Sequence, residues 1–182
     1  MTTPAAEPDP LLALLVEERA AFLAAVDRVP ADRRAERPAP DRWSALEVAE
    51  HVARIDAGVA RMLATYAEQP AVDPEACEAA VLGERRAGWV RARNERVEAP
   101  ERVRPAGGLA EDAVREQMAR AREALVAAYR AATPDVLDRR VHPHPFIGPV
   151  TLRGWIELAA HHDARHAKQV DEVAAQLAGR PA

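Results

Sequence analysis

The sequence predicts an all-α protein, a four-helix bundle with at least one long crossover connection. Three observations carry that prediction. The apolar fraction of 48% is mostly Ala, Leu and Val, and aromatic residues make up only 4%, a mix that favours helices over strands. Four stretches carry apolar residues at three- and four-residue steps. The stretches are joined partly by long loops, as crossover connections require. At 182 residues the chain has the length for one domain, spanning 1–182, with a sizeable core.

The first helix is expected from about residue 10 to 28. Asp9 caps it, Pro10 suits its first position, and Pro30 ends it. Leu11, Leu15, Phe22 and Val26 form its stripe. Val29 to Arg42 shows no apolar period and reads as an ordered loop. The second helix opens at Ser44. Ser44 and Glu47 have capping-box spacing, and Trp43 can staple the first turn. Its stripe is Val48, Val52, Ile55, Val59, Met62 and Tyr66, and His51 falls among them.

A helix is expected to begin at Pro74 and run through Trp89 and Val90 toward Arg96, followed by an extended loop, APERVRPAGG. The third core helix is expected from about Leu109 to Ala131, on Val114, Met118, Ala121, Leu125 and Ala128 or Tyr129. A second loop follows, with Pro134, Pro143, Pro145 and Pro149 and a turn at Gly148. The fourth helix runs from near Thr151 to about Leu177, with Trp155, Leu158, His162, His166, Gln169, Val173 and Leu177 in register.

Several function classes are disfavoured. The net charge is −4 and basic residues are dispersed, so nucleic acid is not an expected partner. One cysteine, Cys77, rules out an intramolecular disulfide, and its acidic surroundings disfavour a reactive thiolate. No basic region precedes an apolar stretch at the N-terminus, and no apolar run has membrane-spanning length, so a cytoplasmic protein with no membrane partner is expected. Phosphate loops and nucleophile elbows are missing from the sequence.

The histidines carry the chemistry. His162 and His166 are four residues apart, a rise of about 6 Å, so both rings project from one face. A single imidazole on an apolar stripe is commonly satisfied by a carbonyl or carboxylate. Two at this step, with His51 on another stripe, point to one metal site. Neutral imidazole suits Zn, Ni, Cu and Fe(II), and three protein ligands leave open positions of catalytic type. Each ring needs an acceptor for its second N–H. Glu47, Asp163 and Gln169 are candidates, although Glu47 has a simpler role in the capping box, Asp163 on a solvated face and Gln169 in a bond along its helix. Trp155, seven residues before His162, can wall a pocket. His161 lies about 100° away around the helix and is expected at the pocket rim or in solvent. His142 and His144 are expected to shape the pocket mouth.

Three segments resemble the DinB/YfiT-like family of small metalloproteins. PDRWSALEVAEHV, Pro40 to Val52, is similar to its opening motif. HHDARHAKQV, His161 to Val170, is similar to its closing motif, and HPFIGPVTLRGWIE, His144 to Glu157, resembles the helix entry between them in one branch. The resemblance implies a four-helix bundle with a crossover, often a homodimer. It implies His51, His162 and His166 as ligands of Zn or Ni. It further implies a transferase acting on small-molecule electrophiles with a low-molecular-weight thiol such as bacillithiol, mycothiol or glutathione. Two other readings stay open: a metal-dependent hydrolase with Glu47 as base, and a non-enzymatic, stress-related metal-binding dimer.

Overall fold

The computed structural model describes residues 9–94 and 97–179. Four long helices form the bundle: α1 (Pro10–Arg28), α2 (Ala45–Tyr66), α5 (Glu111–Ala131) and α7 (Leu152–Ala178). Between α2 and α5 lie two short helices, α3 (Pro74–Ala80) and α4 (Gly83–Arg91). Between α5 and α7 lie α6 (Pro134–Arg139) and a hairpin, β1 (Val141–His144) with β2 (Gly148–Thr151). None of the described helices is long and apolar enough to cross a membrane.

The local signals act as read. Asp9 accepts from the N–H groups of Leu11 and Leu12. Ser44 and Glu47 form both halves of a capping box. Thr151 caps α7 by accepting from Gly154 N.

Two connections differ from expectation. The helix predicted from Pro74 toward Arg96 is two helices, broken at Val81 and Leu82, just before Gly83. Gly83 has φ +60, a conformation that costs glycine little, and Arg86 gathers the freed carbonyls of Ala79 and Val81. The second piece ends at Arg91; Arg96 lies outside the described residues. The proline-rich second loop contains α6 and the hairpin. Pro143 and Pro149 face each other across the ribbon. Neither has an N–H, so they occupy a pair that exchanges no hydrogen bonds. The first loop likewise contains one 3₁₀ turn, Ala31–Arg33, and α5 starts at Glu111 rather than Leu109.

α2 packs along α5, α1 along α7, and α2 also meets α7. The core has two apolar halves. One draws on Phe22, Val26, Val48, Val52, Val114, Met118, Val170 and Val173. The other draws on Leu15, Val59, Leu63, Leu125, Ile156 and Ala160. Read in chain order, these halves make α1 and α7 parallel to each other and antiparallel to α2 and α5.

A charged layer separates the two halves. Each long helix contributes one residue: Arg19, Asp56, Arg122 and Asp163. Each arginine reaches both carboxylates at 2.8 Å. The aspartate side chains are 1% and 0% exposed, the arginines 11% and 14%. Charges this deep are tolerated only when paired and hydrogen-bonded. Asp163, expected on a solvated face or beside a histidine, belongs to this layer instead.

Candidate metal centre

His51 comes from α2, and His162 and His166 from successive turns of α7. Their Nε2 atoms converge. His51 Nε2 is 3.3 Å from His162 Nε2, which is 3.0 Å from His166 Nε2. One nitrogen from each ring lies within 4.8 Å of the others, so the three are positioned to hold a metal ion.

The hydrogen bonds around the rings fix where the protons are. His51 Nδ1 stands 2.7 Å from the carbonyl oxygen of Val103, so it donates. His166 Nδ1 stands 2.8 Å from Gln169 Oε1, and that oxygen also accepts from Arg93 Nη1 at 3.2 Å. Arg93 is anchored in turn by Glu172 at 2.8 Å. With Nδ1 protonated, His51 and His166 both turn bare Nε2 lone pairs inward. His162 Nδ1 is buried with no hydrogen-bond partner among the described residues. A proton on His162 Nε2 would serve one neighbour and leave the other nitrogen without a donor. A cation accepts all three lone pairs together. Nitrogens bound tetrahedrally to one Zn stand about 3.3 Å apart, which fits the observed spacings.

Electrostatics agree with ligation. Burial pushes the His51 imidazole down to about 4, despite the bond to Val103. Burial also drives His162 and His166 well below the usual histidine range, and repulsion from the neighbouring rings adds to it. All three rings are held neutral, the protonation state a metal requires.

The crossover connection completes the site. Residues 97–108 lie across α2 as a strap, and Val103 is its contact with His51. The carboxylate of Glu50 holds the strap by accepting from Ala106 N at 2.9 Å and Gly107 N at 3.0 Å, and it also pairs with Arg54. Sequence reasoning missed Glu50, Val103 and Arg93. An acid beside His51 on a helix with a broad buried face was a usable signal for Glu50. A backbone carbonyl fifty-two residues away leaves no sequence signal at all.

A cavity of about 610 Å³ opens onto the histidines, within the usual range for small-molecule sites. Trp155 and Leu158 of α7 form one wall, and Trp155 is fixed by donating to the His142 carbonyl at 3.0 Å. Trp43 also lines it, its ring centroid 5.0 Å from that of His51.

Other candidate residues fall elsewhere. Glu47 is engaged by Arg37 and by Ser44 N and is not part of the cavity lining. His161, expected at the rim or in solvent, is buried, because α4 packs over that face of α7 and Arg91 lies 3.0 Å from its Nδ1. His144 lines the cavity, whereas His142 packs edge-on against Tyr66. Cys77 lies outside the cavity, with its thiol toward the Val72 carbonyl at 3.7 Å.

Known proteins resemble this chain in sequence or in fold. The uncharacterized protein YuaE of Bacillus subtilis (strain 168) is 27% identical over 139 residues, 76% of this chain and 81% of that protein. The crystal structure of TT2238, described as a four-helix bundle protein, matches with a TM-score of 0.59 and 24% identity, over 90% of this chain and 98% of that one. The sequence profile of the DinB superfamily matches residues 14–170. The chain belongs to the DinB superfamily.

Proposed function

We propose that His51, His162 and His166 hold a divalent cation, Zn or Ni, and that the protein is a transferase that joins a low-molecular-weight thiol to a small electrophile. The observation that carries this is the inward turn of three Nε2 atoms at the floor of an open cavity. A cation held by these three rings would supply Lewis acidity and so lower the pKa of a bound thiol. The chain does the rest. Val103 and Gln169 orient two of the rings, burial keeps all three neutral, and Trp155 and Leu158 shield one side from water. A hydrolytic mechanism based on Glu47 finds no support, since both oxygens of that carboxylate are already engaged.

The test has two stages. Purified protein is analysed for metal, then the loaded protein is assayed with a panel of thiols and electrophiles. His51→Ala, His162→Ala and His166→Ala should each lose stoichiometric metal and turnover. Unchanged turnover in these variants would sink the proposal. Tight metal binding without thiol binding would leave a non-enzymatic metal protein.

A further inference from the structure

The cavity above the histidines is strongly biased in charge. Five arginines and two acids line it, although the chain as a whole carries −4. Neither acid is free: Glu98 receives Arg104 at 2.5 Å, and Asp41 is also engaged. The guanidinium groups of two of the arginines, Arg42 and Arg102, have no hydrogen-bond or ion-pair partner among the described residues. A basic concavity on a net acidic surface concentrates anions.

His144 adds a third unused donor. Its Nδ1 accepts the backbone N–H of Phe146 at 3.2 Å, a bond made within the β1–β2 turn. A nitrogen that accepts an N–H carries no proton. His144 is therefore neutral, and its one proton sits on Nε2. Partial burial of the ring favours the same neutral state, pushing it down to about 4. Nε2 has no partner among the described residues. The ring is held in place by Trp155, centroids 5.0 Å apart, and lines the cavity. The unengaged polar groups named here are thus all donors, set beside the apolar surfaces of Trp155 and Phe146.

We infer that the cavity takes an organic anion, a ligand with an apolar body and a carboxylate whose oxygens are received by Arg42, Arg102 and the Nε2–H of His144. This rests on the reading of the histidines as a thiol-activating metal centre and assigns a negative charge to the molecule that reaches it. Neutral or cationic ligands of the same size would forgo the charge-assisted bonds to these guanidinium groups.

Calorimetry on the Zn(II)-loaded protein tests the inference with two matched pairs of probes. One pair is 3-mercaptopropionate and 3-mercaptopropionamide; the other is 3-phenylpropionate and 3-phenylpropionamide. Each carboxylate should bind about tenfold or more tighter than its amide, as expected for charge-assisted hydrogen bonds. The preference should fall toward parity in Arg42→Gln/Arg102→Gln at unchanged zinc content. It should weaken in His144→Phe, which keeps a ring against Trp155 without the N–H. Equal binding of acid and amide overturns the inference, as does an acid preference unaltered in the arginine variant, since zinc alone would then read the carboxylate. Absence of binding by every probe also overturns it. The thiol reading is scored separately. If the thiol pair binds no better than the phenyl pair while acids are still preferred, the thiol reading fails and the anion inference stands. If both thiols bind tightly and alike, the reverse holds.

Discussion

Replacing Gln169 with leucine separates the orientation of a ligand from the ligand itself. In the native site Gln169 Oε1 takes two donors, His166 Nδ1 at 2.8 Å and Arg93 Nη1 at 3.2 Å. Leucine has similar bulk and no acceptor. His166 then loses the bond that fixes its tautomer and raises the basicity of Nε2, while Arg93 keeps Glu172. Loss of such an outer partner costs about 10- to 100-fold in metal affinity, or about 1.4–2.7 kcal/mol. Competition with a fluorescent zinc chelator measures this directly, and far-ultraviolet dichroism checks that the helices persist. Gln169→Glu is the companion variant. It supplies a stronger acceptor and should match or exceed the native affinity. If Gln169→Leu binds Zn(II) within about twofold of the native protein, the outer-partner logic is refuted for this site.

Three further outcomes follow from the same structure. Asp163→Asn removes one carboxylate from between two buried guanidinium groups, and breaking a buried pair costs about 3–5 kcal/mol in urea unfolding; a loss below about 1 kcal/mol would show that the layer tolerates an unpaired charge. Glu50 is a depressed carboxyl: burial acts to raise it, but the N–H groups of Ala106 and Gly107 and the Arg54 guanidinium outweigh that. Its contribution is therefore complete above its unfolded pKa and is lost as pH falls through the lower folded value, so Glu50→Gln should flatten the acid limb of the stability–pH curve; an unchanged limb would contradict this. Gly154→Ala would place a Cβ 2.7 Å from Val150 Cγ1 and 3.3 Å from Leu82 Cβ, overpacking that costs about 1–3 kcal/mol, and an unchanged melting temperature would count against it.

What was legible in the sequence was whatever is encoded locally. Asp9 with Pro10, and Ser44 with Glu47, mark helix starts within four residues, so α1 and α2 could be placed closely. The stripe of α7 set His162, His166 and Gln169 on one face because helical periodicity is itself local. The hairpin was hidden because its strands have four residues each and carry prolines that normally argue against pairing. The break before Gly83 was hidden because a lone glycine is tolerated in helices, and only its φ shows that the chain turns there to start a second one. The ring of Arg19, Asp56, Arg122 and Asp163 was illegible for a deeper reason. Each charge looks like part of a solvated face until three distant segments arrive to pair it. His161 failed in the same way, since α4 covers it.

That charged ring also sets the axial alignment of the helices. Apolar stripes alone define that alignment weakly, because a Val, Leu or Ala that slips by one turn still meets apolar partners. The ring does not permit this. A slip of one turn would carry a charge about 5.4 Å along the bundle into an apolar layer and leave its partners stranded. Asp163 directly follows His162, and Asp56 lies five residues beyond His51. The alignment that seats the two aspartates between the arginines is therefore the one that brings the imidazoles together. In this protein the ring works as a key that is cut once for the scaffold and for the metal centre.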